Sequence, residues 1–165
     1  DWSSDVCSSD LATWIWCWRH WDRAWGKSSP SVSQMSFAHL TLPTTEVERT
    51  AQLLEQALGW KRAPLPPNSP IEVVWLDLGR GHTVHVFHAP GFQVSPFEGE
   101  FGRHFAVFHP LADFPEAKRR LLAAGATVYP AERATPFERF FFREPVNGYV
   151  IEVIDAAREG LVAEK

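Results

Sequence analysis

The feature that most restricts this chain is a spacing that occurs twice. Gly59 stands 20 residues after His39 and His85 a further 26 on, while Gly125 stands 21 residues after His104 and Glu152 a further 27. Near-equal intervals bounded by the same kinds of residue imply two copies of one supersecondary unit, neither able to bury its apolar face alone. In the first copy, residues 36–42 alternate as a strand, and Thr45-Glu46-Val47-Glu48 has the spacing of a capping box. Val47, Ala51, Leu54 and Leu58 fall on one helical face, which Gly59 ends. A proline-rich link, 64–70, leads to strands over 71–78 and 82–88 about the tight turn Gly79-Arg80-Gly81. The second copy repeats the plan. A strand over 103–109 precedes a capping box at Asp113-Phe114-Pro115-Glu116, then a helix lined by Ala117, Leu121 and Ala124 and ended by Gly125. Strands over 127–130, 137–143 and 149–155 close it. The expected fold is α+β: two tandem βαβββ modules, 36–88 and 103–155.

Each module carries one residue able to ligate a metal on its first strand and one on its last. Strand alternation turns Leu40, Leu42, Phe105, Val107, Ile151 and Val153 towards the helices. His39, His85, His104 and Glu152 then point the other way, with Thr41 and Ala106 beside them, small enough to leave space for a ligand. A single histidine in a strand is more often a hydrogen-bonded structural residue than a ligand. Four candidates at matched places, all on the face away from the helices, point instead to a divalent metal site. Imidazole and carboxylate suit Zn, Ni, Co, Mn or Fe(II), and both cysteines, Cys7 and Cys17, lie far away in sequence, so no thiolate biases the choice. His82, His88 and His109 fall on the opposite face or at strand ends and read as structural or surface residues.

The first 34 residues follow no such plan. They hold six of the eight tryptophans without helical or strand periodicity, and residues 1–11 resemble a translated reading frame of a sequencing-adapter oligonucleotide. Met35, the only methionine, stands directly before the first strand. The expectation is a disordered, non-native leader over 1–34 and a single domain over 35–165. A secretory signal is the rival reading, but Arg19, Asp22 and Arg23 interrupt any apolar stretch and no small-residue cleavage site follows one. The chain is accordingly expected in the cytoplasm. With a net charge of −4 and Lys118-Arg119-Arg120 as its only dense basic run, nucleic acid is not an expected partner. No segment approaches the roughly 18 apolar residues of a membrane span, so no membrane partner is expected either.

His39 followed by a helix that ends Leu58-Gly59-Trp60, His104 within Arg103-His104-Phe105-Ala106-Val107, and the closing run from Glu144-Pro145-Val146-Asn147-Gly148 to Ile151-Glu152-Val153 together resemble the vicinal oxygen chelate superfamily. That superfamily holds glyoxalase I, methylmalonyl-CoA epimerase, fosfomycin-resistance transferases, extradiol dioxygenases and bleomycin-binding proteins. The resemblance spans 36–155 and implies a cupped mixed sheet around a metal, with His39, His85, His104 and Glu152 on the four ligand positions. The turn at 145–148 is one residue longer than is usual there. Glyoxalase I and the epimerase use all four positions, and His85 stands where an acidic or amide residue is usual in them. In such enzymes a ligand carboxylate can leave the metal and take the proton α to a carbonyl while the metal stabilises an enediolate; here only Glu152 could do so. The resemblance therefore implies a metal-dependent lyase or isomerase acting on a small oxygenated substrate, with Glu152 catalytic.

Other branches of the superfamily fit less well. Fosfomycin transferases use three ligands and a serine-rich, potassium-binding loop, and residues 133–139 contain no serine. Extradiol dioxygenases use a triad that His39, His104 and Glu152 could form around Fe(II), yet their active-site tyrosine is replaced here by the run Phe140, Phe141, Phe142. Bleomycin-type binding proteins generally lack the ligands, and a metal-free small-molecule binder is the alternative from outside enzymology. Arg139 and Arg143, on alternate positions of an aromatic run, form either a guanidinium fork for a substrate carboxylate or phosphate, with Thr41 as a further substrate contact, or a pair of side chains reaching to solvent. The loop 89–101, with Phe92, Phe97, Glu98 and Phe101, is a lid or a plain linker. Finally, the resemblance implies a homodimer in which each site takes ligands from both chains; the alternative is that both modules of one chain close a single site, which the thirteen-residue link 89–101 is long enough to permit.

Overall fold

In the computed structural model, which describes residues 37–158, each copy of the repeat folds as one module. The expected leader, 1–34, lies outside the described residues. The first module runs β1 (His39–Thr44), α1 (Val47–Leu58), β2 (Lys61–Ala63), β3 (Val73–Gly79) and β4 (His82–His88). The second runs β5 (Phe105–His109), α2 (Phe114–Ala123), β6 (Thr127–Pro130), β7 (Arg139–Arg143) and β8 (Val150–Asp155). Strand order is β1-β4-β3-β2 in one sheet and β5-β8-β7-β6 in the other. The first and last strands of each module pair in parallel and the remaining pairs are antiparallel. These are two tandem βαβββ modules with cupped, mixed four-stranded sheets.

β2 has no counterpart in the sequence reading. Its three residues, Lys61-Arg62-Ala63, lack apolar alternation, and pairing with β3 is what makes them a strand. Arg62 adds ion pairs to Glu48 at 2.7 Å and Glu55 at 3.0 Å, tying the strand to α1. Neither capping box forms. The chain enters α1 through Glu46, whose own N–H is taken by the Thr44 hydroxyl while the N–H of Thr45 goes to Asn147. At α2 a 3-10 turn over Leu111–Asp113 leads straight into the helix, so Asp113 already has helical dihedrals and its carboxylate does not cap. The C-terminal ends follow expectation. Gly59 and Gly125 take left-handed φ values of 73° and 86°, a conformation that strains any residue with a Cβ.

The predicted α1 face of Val47, Ala51, Leu54 and Leu58 is buried, joined by Leu53 and Ala57. One apolar cluster continues from it across both modules, through Leu42, Leu76, Val84 and Val86 to Leu121, Phe140, Phe142, Ile151 and Val153. A polar weld reinforces it. The buried Glu144 carboxylate accepts the N–H groups of Val146 and Asn147 at 2.9 and 2.7 Å, and Asn147 reaches back to the Thr44 hydroxyl at 2.8 Å. The Tyr149 hydroxyl donates to the Pro43 carbonyl at 2.8 Å. Glu144 and Tyr149 close this turn through their backbones before β8 starts. β8 consequently lies in parallel register with β5, Ala106 opposite Glu152. Among the described residues, no helix is long and apolar enough to cross a membrane.

Candidate functional site

Register and burial together fix which side chains share a face. In the first sheet His39 pairs with Thr83, and His85 lies between Thr41 on β1 and Trp75 on β3. Because Leu42, Leu76, Val84 and Val86 fill the core on the helix side, His39, Thr41, His85 and Trp75 occupy the other face. In the second sheet Ala106, Glu152, Phe141 and Tyr129 follow one another across β5, β8, β7 and β6, again opposite the helix side.

The second module brings two of the expected ligands together. His104 Nε2 lies 3.5 Å from Glu152 Oε2, and His104 Nδ1 lies 3.1 Å from the Gly99 carbonyl. A carbonyl can only accept, so Nδ1 carries a proton, and a neutral His104 ring would present its Nε2 lone pair to the carboxylate. Two atoms each bound at about 2.1 Å to one ion, at near right angles, would be about 3 Å apart, so this donor pair fits a divalent cation. The other carboxylate oxygen, Oε1, is held by Arg139 at 2.5 Å.

The first module brings the other two together differently. The His39 and His85 rings stack with centroids 4.4 Å apart and planes inclined by 10°, and Trp75 stacks on the far side of His85 at 4.3 Å and 8°. Burial, and secondarily the neighbouring His39, hold the His85 imidazole below its ordinary pKa. The two pairs do not meet within one chain. Among the described residues, no group of three or more His, Cys, Asp or Glu side chains is close enough to hold a metal ion.

Neither arginine reaches for solvent. Arg139 is buried and bonds to Glu152, Glu100 and the Arg133 carbonyl. Arg143 is half-buried and donates to the carbonyls of Gly148 and Glu98 at 2.8 and 2.9 Å. Thr41 remains exposed beside His39 and His85. The loop between modules is neither free lid nor plain linker, because its acidic residues strap it to the second sheet. Glu98 accepts the Val150 N–H at 3.1 Å, and Glu100 accepts the N–H groups of Glu132 and Arg133 as well as Arg139. Desolvation raises the Glu100 carboxyl, but those three donors outweigh it and hold its pKa low. Phe92 stacks on Tyr149, while Phe97 and Phe101 stay exposed at 76% and 74% beside an open hollow of about 440 Å³ that Tyr129 and Arg143 also line. His109 stacks on Phe114, on the helix side, as alternation required.

No protein-family model and no curated protein matches the chain. Solved structures do. The fosfomycin resistance protein FosX of Mesorhizobium loti is 17% identical over 81% of this chain and 100% of its own, with a TM-score of 0.58. A FosX variant from Listeria monocytogenes, in complex with Mn(II) and 1S,2S-dihydroxypropylphosphonic acid, is 16% identical over 80% of this chain and 98% of its own, with a TM-score of 0.60. The chain shares their fold. A possible glyoxalase from Bacillus cereus extends the likeness, at 20% identity over 73% of this chain and 99% of its own, with a TM-score of 0.55. At such identities the glyoxalase-like fold is the common property, and chemistry has to be read from this chain's own side chains.

Two participants, Trp75 and Glu100, escaped the sequence reading. Trp75 was accessible in principle, since it and His85 are equidistant from Arg80 at the centre of the hairpin turn. Glu100 carried no signal, and Glu98 was named in the loop without its bond to Val150, because nothing local tells where a loop carboxylate will cross to.

Proposed function

We propose that the chain is a metal-dependent enzyme of the vicinal oxygen chelate type that acts on a small oxygenated substrate by proton transfer, as a lyase or isomerase. The observation that carries this reading is the approach of His104 Nε2 to Glu152 Oε2, 3.5 Å apart on the sheet face away from the helices. The matched pair, His39 and His85, lies on the equivalent face of the other sheet, so a second copy is proposed to complete each site. The partner subunit's His39 and His85 would face His104 and Glu152 across a two-fold axis. The likeness to a FosX structure holding Mn(II) and a vicinal diol phosphonate supports both a metal and a ligand with adjacent oxygens.

A bound divalent ion supplies Lewis acidity, stabilising negative charge on a substrate oxygen. His104 is held for this by the Gly99 carbonyl, which fixes its tautomer and ring orientation. Glu152 keeps Oε1 on Arg139, so Oε2 is the atom that would hold the ion beside His104 and that, only when released from it, would receive a proton from a substrate carbon. The Thr41 hydroxyl and the Arg143 guanidinium are the proposed substrate contacts, the latter for a carboxylate or phosphate. Arg139 serves the substrate indirectly, by holding Glu152.

Metal analysis of the purified protein after loading with Mn(II), Co(II) or Zn(II) and dialysis tests the reading. About one tightly held ion per chain is expected; none would favour a metal-free binding protein. The shared site is tested by mixing a His39→Ala chain with a Glu152→Ala chain, each unable to hold the ion alone. After subunit exchange a shared-site dimer regains one intact site, and a self-contained chain regains none.

A further inference from the structure

The ring geometry of the first module separates two histidines that the sequence offers alike as ligands. We propose that His85 is a positioning residue that sets the plane of the His39 imidazole, and that it gives no electron pair to the ion. This deepens the metal-site reading above and rests on it.

A histidine binds a metal through a lone pair lying in the plane of its ring, so two histidines on one ion must have ring planes that intersect at the ion. The His39 and His85 planes are inclined by 10° with centroids 4.4 Å apart. Planes so nearly parallel meet roughly 20 Å away, whereas a histidine–metal bond is about 2.1 Å long. One ion cannot take both rings as they stand. The stack is a product of the sheet. His39, His85 and Trp75 project from three successive strands, β1, β4 and β3, and strands lie about 4.8 Å apart, so flat side chains standing off one face come to rest one against the next.

Position within the ladder decides the roles. His85 is the middle rung, with Trp75 on one side at 4.3 Å and His39 on the other. Its Nε2 lies 3.0 Å from the Thr83 hydroxyl, a partner within its own strand. His39 is the outer rung, exposed, and His85 is its only ring partner among the described residues. The inner ring is wedged and engaged, and the outer ring is free to ligate in a plane that the inner one dictates. The protein ligand set becomes His39, His104 and Glu152, one fewer than the duplicated spacing offers, which leaves an octahedral ion an additional position for substrate oxygens or water.

The test is Co(II) titration of the full-length chain, followed by its visible absorption, in His85→Phe, His85→Ala and His39→Ala. Phenylalanine preserves a flat ring between Trp75 and His39 but has no nitrogen, so His85→Phe is expected to bind within about threefold of the parent, with the same spectrum. His85→Ala, which loses the platform, is expected to bind about tenfold more weakly, and His39→Ala about a hundredfold or worse. Loss of Co(II) in His85→Phe as complete as in His39→Ala would overturn the proposal. A parent protein that takes up no Co(II) would defeat the metal-site reading instead. The ladder is then judged on the metal-free protein by proton NMR: the His85 ring protons should lie upfield and move back in Trp75→Ala, and unshifted protons would overturn it.

Discussion

Replacing Glu144 by Ala should destabilise the chain more than any surface substitution in the same turn. The carboxylate is 1% exposed and accepts the N–H groups of Val146, Asn147 and Gly148, the amide of Asn147 and the hydroxyl of Thr50. Removing it strands the backbone donors of Val146 and Asn147, each worth about 1–3 kcal/mol if left unpaired in the interior, and takes one partner from the Thr50 hydroxyl and the Asn147 amide for about 1 kcal/mol more, while the Gly148 N–H keeps the Glu144 carbonyl at 3.0 Å. Val146 and Asn147 are half-buried, so water can reach them and the lower end of that range applies. The expected loss is about 3 kcal/mol, a large part of the roughly 5–15 kcal/mol by which domains are stable. Glu144→Gln keeps the volume and one acceptor but sets an NH₂ group against a donor, and should cost about half as much. Urea unfolding is the assay, and with a slope near 2 kcal/mol/M the alanine variant should lose about 1.5 M in midpoint. Because Asn147 and Tyr149 tie the same turn to Thr44 and Pro43 of the first module, a broadened or biphasic transition would also follow if the modules uncouple. A midpoint shift under about 0.3 M, or equal shifts for Ala and Gln, would refute the assignment of this turn as the weld between modules.

Replacing His104 or Glu152 by Ala should abolish retention of a divalent ion on dialysis, and replacing His109 should not, because its ring lies on Phe114 at the helix side; equal loss in all three would break the ligand assignment. In Gly102→Ala the new methyl would collide with the Phe97 carbonyl, which bonds to the Arg103 N–H, so hydrogen exchange over 97–103 should accelerate, and unchanged exchange would count against a tight strap. Burial, opposed by Asp113 and reinforced by Arg120, holds the His109 pKa below 6.5. Its contribution is thus fully present above the unfolded value and is lost as pH falls through the folded one, so parent stability should drop between about pH 7 and 5 by more than that of His109→Asn, measured by urea midpoints.

Much of the fold was legible before any coordinates. The face Val47, Ala51, Leu54, Leu58 and the glycines that end both helices follow from periods of 3.6 residues and from backbone sterics, which act within a turn or two of chain. The separation of His39, His85, His104 and Glu152 from the core face follows from the period of two. These signals are local, so a linear sequence carries them, and the twofold repetition of the unit adds the topology. What they could not carry is the choice of partner between equivalent groups. Lys61-Arg62-Ala63 is a strand only because β3 lies beside it, and the Thr45 and Asp113 caps fail because Asn147 and a 3-10 turn reach those backbones first. Arg139 turns inward because Glu100 and Glu152, 39 and 13 residues away, converge on it and compensate the cost of its burial. His39 and His85 offer the same donor atoms in the sequence and differ in the sheet, where strand spacing stacks one between two rings and leaves the other at the edge. Periodicity tells which face a side chain takes, and packing alone decides what meets it there.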